Sequence, residues 1–403
     1  MYKIRRTRQQ ALLLATAAIL LAVASAKLRA DTGMCGGASI TIPFTDVASS
    51  NIFFCSIAAA YFSGLANGTS ATTYAPSQAV PREQMAAFVS RTLDQSLKRG
   101  SQQAILNQWW TPTDFGSSAK SPVGTAPFFV ACDGADLWVT NFGSGTVSRV
   151  RASDGSVQQT WVGMDAPVGV VAAQGAVHVT GNTSPGKLYT LIAATAGGTP
   201  VATLVTDQLG ASPIGVAFDG AAIWTANQGG SVSKVLPGAV TTVSTGFSAP
   251  WDIIYDGANN WVTDTGDHRL KKLDSTANIL ATVDVGDGPL HPVFDGTNIW
   301  VPNRISSTVT VVRVKDSSGN PLASPFVLAT LSGNGLDGPY AAAFDGQRIL
   351  VASFGNKVSL WKATDLTPLG SVGTGTNTHP AGACSDGTNF WVTLFDFGQL
   401  LRF

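Results

Sequence analysis

Glutamate is almost missing from this chain of 403 residues: none follows Glu83. Any carboxylate chemistry beyond that point falls to aspartate. Charge of either sign is scarce. Lys and Arg number 25, Asp and Glu 25, and charged residues make up 12% of the chain, about half the usual share. With no net charge there is no field to draw the chain onto nucleic acid or an anionic membrane surface. Four histidines and four cysteines are all that is available for acid–base, metal or redox roles. After the first 26 residues no long apolar run remains, so no transmembrane segment is expected once those residues are removed.

Residues 1–26 read as a secretory signal peptide. Lys3, Arg5, Arg6 and Arg8 give a positive start, Ala11 to Val23 an apolar core, and Ala24-Ser25-Ala26 a small-residue cleavage site. The alternative is an uncleaved anchor, for which the apolar run is short. Export permits disulfides. Cys35 and Cys55 fall together in a small amino-terminal domain, and a bridge between them would contribute roughly 3 kcal/mol in the chain-entropy model. The alternative is two buried thiols.

What is abundant is Gly, Ser and Thr, arranged in a repeat. Its unit is Pro, a short apolar run, Asp-Gly, two or three residues, then Trp and Val or Thr, as in PIGVAFDGAAIWTAN from Pro213 and PLHPVFDGTNIWVPN from Pro289. The Trp position falls at 138, 178, 224, 261, 300, 350 and 391, with His178 and Leu350 as exceptions, and at spacings of 37 to 50 residues. Asp-Gly is hairpin chemistry, because Gly accepts positive φ and Asp caps the turn. Two further strands follow in each unit, for example SVSKVLP from Ser231 and VTTVSTG from Val240. Four strands at a period near forty predict a β-propeller blade. The fold class is therefore mainly β, a seven-bladed propeller over 117–403 behind a small helical domain.

The seventh copy ends at Phe403 after its third strand. Residues 117–123 match the fourth-strand pattern and are expected to complete that blade, removing a sheet edge. The recurrent tryptophans are expected to pack between blades. Cys132 and Cys384 lie on the first strands of blades one and seven, neighbours in a closed ring. They sit one residue out of register, which argues against a bridge.

Residues 35–99 form the separate helical domain, and 100–116 a linker with Trp109 and Trp110. A first helix is expected from about Asn51 to Ser63. A second begins near Pro81, with Met85, Phe88, Val89, Leu93 and Leu97 on one apolar stripe. The stretch from Phe44 to Leu93 resembles an S-layer homology domain: Phe44-x-Asp46-Val47, Gly64-Leu65, Asn67-Gly68, Tyr74-x-Pro76 and Pro81-Arg82-Glu83-Gln84 carry the likeness. That family closes on Thr-Arg-Ala-Glu and often has three copies. Here only Arg82 keeps its place, in a single copy. The resemblance implies attachment to cell-wall or envelope polysaccharide, with Asp46 and Arg82 as glycan contacts. The residues by themselves allow a simpler reading, in which Asp46 caps a turn and Arg82 is a solvated surface residue.

The repeats resemble secreted bacterial YVTN and NHL-type propellers, and more loosely the streptogramin lyases. The lyase resemblance implies a catalytic His and Glu around a magnesium ion. The matching strand ends here carry Asn141, Asn227, Asp264 and Asn303, and no Glu is available. Polar departures from the repeat concentrate on blades four and five. The third residues of the units read Phe129, Gly169, Gly215, Asp252, His291, Ala341 and Gly382, and the loop after Asp264 contains His268. Asp252, Asp264, His268 and His291 are thus the candidate ligand or metal set, suited to zinc or manganese because imidazole is present. The alternative is a water-filled channel lined by ordinary polar groups. No cofactor is otherwise expected.

The leading function from sequence is a secreted or envelope-associated binding protein. Its helical domain would hold it at the surface, and the propeller would face a ligand or protein partner. The alternatives are an extracellular lyase- or hydrolase-like enzyme using blades four and five, and a structural envelope component.

Overall fold

The computed structural model describes residues 32–35, 38–62, 65–82, 84–89, 92, 120–192 and 199–403. The signal peptide, the linker with its two tryptophans, Glu83, Leu93 and Leu97 lie outside the described residues. Among the described residues no helix is long and apolar enough to cross a membrane. The chain divides into two compact units, at residues 1–108 and 109–403.

In the first unit a hairpin pairs Thr32–Cys35 with Ala38–Thr41, and a helix spans Phe54–Phe62. The helix starts three residues later than expected. The Asn51 side chain accepts the Phe53 amide (2.8 Å) and the Asn51 carbonyl the Phe54 amide (2.9 Å), which holds residues 51–53 as a turn. Ile42, Phe44, Val47, Phe54 and Ile57 form the core, and Cys35 is bonded to Cys55. Residues 82, 84–89 and 92 are helical. The expected apolar stripe there is not buried: Met85 and Val89 are exposed and Phe88 is half-buried.

The second unit is a propeller of seven four-stranded antiparallel sheets. The first strands of blades one to seven begin at Pro127, Pro167, Pro213, Pro250, Val293, Pro339 and Pro380. Blade five is the irregular one. Pro292 cannot donate to a ladder, and its first strand is reduced to Val293–Phe294. Blade seven takes its outer strand from the other end of the chain, with Lys120–Pro122 pairing antiparallel to Gln399–Arg402.

The tryptophans are buried between blades, and their indole nitrogens explain the Asp five residues earlier. Asp133, Asp219, Asp256, Asp295 and Asp386 each use one carboxylate oxygen to cap turn amides. Each uses the other to accept the indole N–H of Trp138, Trp224, Trp261, Trp300 or Trp391, at 2.6–2.8 Å. One side chain thus fixes both the hairpin and the packed ring. The two exceptions follow from this. In blade six Leu350 has no N–H to offer, and Arg348 takes the Asp345 oxygen at 2.7 Å. In blade two Gln174 stands for the Asp and His178 for the Trp. Neither ring nitrogen of His178 has a hydrogen-bond partner among the described residues, and burial pushes its pKa down. Asp256→Ala would leave the buried Trp261 indole unsatisfied. It is expected to cost about 1–3 kcal/mol in urea denaturation, and a loss within error of zero would refute the clamp.

The Cys132–Cys384 bridge is formed, against the register argument. Blades stack in one rotational sense, so the face that blade seven turns to blade one has the opposite parity from the face it meets. Cys384 is paired across the strands with Trp391, which packs toward blade one. Cys132 is paired with Leu137, which packs back toward blade seven. Because side chains alternate along a strand, the one-residue offset is what lets the sulfurs meet.

Candidate functional site

The start of each first strand lies beside the end of the second, as in Pro250 with Asp264 and Pro213 with Asn227. The first-strand starts and the loops between second and third strands therefore share one end of the propeller. There Asp252 and His291 come together near the axis. His291 Nδ1 lies 3.0 Å from Asp252 Oδ2, and the Trp251 indole N–H donates to His291 Nε2 at 3.1 Å. The indole requires a lone pair on Nε2, so the ring proton sits on Nδ1 and is donated to Asp252. Oδ1 of Asp252 accepts the Ile253 amide at 2.8 Å. His291 and Asp252 are 5% and 6% exposed, and no imidazole nitrogen is left for a metal or a substrate proton.

The surroundings of the imidazole are aromatic. Phe129, from the opposite side of the ring, meets the imidazole edge-on at 3.9 Å between centroids. Trp251 and Tyr340 flank it at 6.0 and 5.4 Å. Space for Asp252 is made by Gly215 of blade three, where a Cβ would run into the Asp252 carboxylate and backbone. The backbone of His291 is bridged to Ala341 of blade six, since Pro292 breaks its own ladder.

Asp264 and His268 belong elsewhere. Asp264 is fully buried and accepts Lys271 Nζ at 2.7 Å and the Ser248 and Ala249 amides at 2.8 Å. Burial pushes its pKa up, but Lys271 and the two amides outweigh that and hold it below the usual carboxylate range. In blades one, three and five the same corner is neutral: Asn141, Asn227 and Asn303 donate to Ser148, Ser233 and Thr310. Lys271 occupies the Ser/Thr position. His268, at φ 60°, accepts the Gly288 amide on Nδ1 at 3.3 Å and so ties two loops. Among the described residues no three His, Cys, Asp or Glu side chains form a group that could hold a metal. At these corners Asn141 and Asn303 spend only Nδ2, and Oδ1 of each has no hydrogen-bond partner among the described residues; the one carboxylate among these strand ends, Asp264, is held by Lys271, so the set does not supply the carboxylates of a lyase-type magnesium site.

Two features escape a reading of the first-strand positions alone. The first is a band of rings on this end, formed by Phe128, Trp251, Tyr340, Phe354 and Phe395. Arg304 lies 4.5 Å from the Phe354 centroid and 5.4 Å from that of Tyr340. Burial raises the Tyr340 pKa, with Arg304 acting against it. The second is His379, stacked on Phe354 at 4.4 Å with Nδ1 2.6 Å from Asp396 Oδ2. A signal existed. The residue before the repeat Pro is Ala, Ser or Gly in the six other units and His only here.

In the first unit Asp46 accepts the Tyr74 and Ala75 amides at 2.8 and 2.7 Å. Burial raises its pKa, and these amides lower it further than that. Arg82 is exposed.

No protein-family model matches the chain, and no curated relative does. Solved structures do match. A streptogramin B lyase superposes with a TM-score of 0.57 at 15% identity, over 71% of this chain and 99% of that one. A virginiamycin B lyase from Staphylococcus aureus gives 0.56 at 14%, over 70% and 97%. A Kuenenia stuttgartiensis hydrazine synthase gives 0.56 at 16%, over 73% and 98%. At such identities the likeness establishes the fold alone: a seven-bladed β-propeller with streptogramin-lyase-like structural neighbours.

Proposed function

We propose that this protein is a secreted or envelope-attached binding protein. The observation that carries the reading is the aromatic band with Arg304 around a fully satisfied His291. Rings and one cation are presented at the propeller end, while Asp252, His291 and Asp264 on blades four and five are committed to internal hydrogen bonds. This favours binding over a lyase- or hydrolase-like reaction at that sector. Two disulfides are compatible with an extracellular protein. The helical unit would supply attachment to envelope polysaccharide through exposed Arg82, whose planar fork suits an acidic sugar. Asp46 would contribute by shaping the loop at Tyr74–Ala75.

The test is retention of the full chain on purified envelope polysaccharide. Arg82→Ala is expected to lower retention roughly tenfold, the worth of one charge-assisted contact. Phe354→Ala, in the propeller, should leave it unchanged. Retention unaffected by Arg82→Ala removes the glycan role of that unit.

A further inference from the structure

Each seam between neighbouring blades is filled by a buried apolar cluster, and the seam between blades two and three is the poorest. Among the described residues its buried members are Leu188, Leu209, Ile223 and Val235. Every other seam holds a buried aromatic ring in its cluster. Trp138 and Trp161 lie between blades one and two, Trp224, Trp261, Trp300 and Trp391 in four more, and Phe390 between blades six and seven.

His178 stands where the Trp of this seam would be. Side chains alternate along a strand. Val177 and Val179 pack with Trp138 toward blade one, so His178 between them points to blade three. Its cross-strand partner Val171 packs against the cluster of that seam. The partner on its other side, Thr190, sends its hydroxyl to the Val177 carbonyl at 3.4 Å. Both ring nitrogens of His178 are buried and without a hydrogen-bond partner among the described residues.

The charges on the surrounding strands are engaged elsewhere. Pro167–Ala173 and Pro213–Phe218, on either side of the imidazole, carry none. On Gly186–Leu191, Lys187 and Tyr189 both bond to Asp165. On Thr203–Leu209, Asp207 is exposed and acts on Lys187. In blade three Asp219 accepts the Trp224 indole, and Lys234 lies over the Trp224 ring and donates to the Ser275 carbonyl. Burial pushes the His178 pKa down, with no carboxylate acting against it.

We propose that the seam between blades two and three is an acid-operated opening in the ring. Neutral His178 packs there as an apolar ring and holds the seam shut. A proton taken up by His178 releases it ahead of the other seams. Blade two contributes no ring to the aromatic band, so this device stands apart from the proposed binding end.

The direction of the pH effect follows from where the proton binds. Above about pH 6.5 the imidazole is neutral whether the seam is closed or open. Below that, the open seam, where the ring meets water, takes up a proton that the closed seam refuses. The opening constant therefore rises about tenfold per pH unit, until pH reaches the depressed value of the closed form. Carboxylates titrate near pH 4, outside this window.

The experiment is hydrogen exchange of the full chain at about pH 7.5 and about pH 5.5, on either side of the free histidine value, with each rate divided by the intrinsic rate at that pH. Protection of Ala176–Gly181 and Ile223–Asn227 is expected to fall about tenfold on acidification, while Asn298–Asn303 and Arg348–Ser353 of blades five and six keep theirs. His178→Leu, which places here the residue that blade six carries as Leu350, should abolish the pH response of blades two and three. Chemical-shift titration of the His178 ring in the folded wild type needs no variant, and the ring is expected to titrate below the range of an exposed histidine. Equal loss of protection in all blades, no loss in blades two and three, a response kept in His178→Leu, or a folded ring that titrates at or above about pH 6.5 would each overturn the proposal.

Discussion

Lys271→Met is expected to destabilise the propeller by about 3–5 kcal/mol, the cost of leaving a buried charge without its partner. Lys271 is 3% exposed on its side chain and Asp264 not at all, and their charged atoms are 2.7 Å apart. Lys271 also donates to the Gly246 carbonyl at 2.7 Å and pairs with Asp267, which reaches solvent. The double variant Lys271→Ser with Asp264→Asn recreates the neutral corner of blades one, three and five, and it should recover most of the loss. The pH dependence separates this from a packing defect. In the wild type the folded pKa of Asp264 lies below its unfolded value, so its contribution is complete above about pH 4 and is lost as pH falls through the folded value. In Lys271→Met the charged lowering partner is gone, and burial is opposed only by the Ser248 and Ala249 amides. The carboxyl can then be neutralised, and the gap from wild type should shrink between about pH 7 and pH 4. Urea denaturation at the two pH values reads the outcome. A gap independent of pH, or a double variant no better than the single, would sink the charge-pair account.

The ring was legible because its determinants are local and repeated. Pro, Asp-Gly and Trp at a period near forty name four strands and a closed set of blades, and five of the seven copies carry all three. The site was legible only as position. Asp252 and His291 could be placed beside each other because both break the pattern at the same place in adjacent units. What they do there depends on Trp251 and Phe129. Phe129 holds the same register position in blade one, but the repeat does not say how far its side chain reaches across the ring. Asp264 looked like a ligand because it opens the blade-four loop that contains His268. The compensating Lys271 sits seven residues on, in a strand that reads as ordinary.

Replacing Cys132 and Cys384 together by serine should cost the propeller about 5 kcal/mol in the chain-entropy model, because the bridge spans 252 residues of sequence. Reduction of the wild type should reproduce the loss. Removing Cys35–Cys55, 20 residues apart in the other unit, should leave the propeller transition where it is. The physical content lies in where the bridge sits. Blades one and seven meet at the seam where the chain closes on itself, and the strand that completes blade seven there is only Lys120–Pro122. Three residues of ladder, with Ser121 and Trp391 packed under Gly155, are a short closure for a ring whose other blades are continuous in sequence. The bridge ties the inner strands of the two seam blades directly, and the outer strand only has to cover the edge. Without it, hydrogen exchange should accelerate first in Pro127–Cys132 and Gln399–Arg402, ahead of strands in blades three to five. If those segments exchange no faster than the rest, or the double serine variant loses less than about 1 kcal/mol, the seam is held by packing alone and the bridge is incidental.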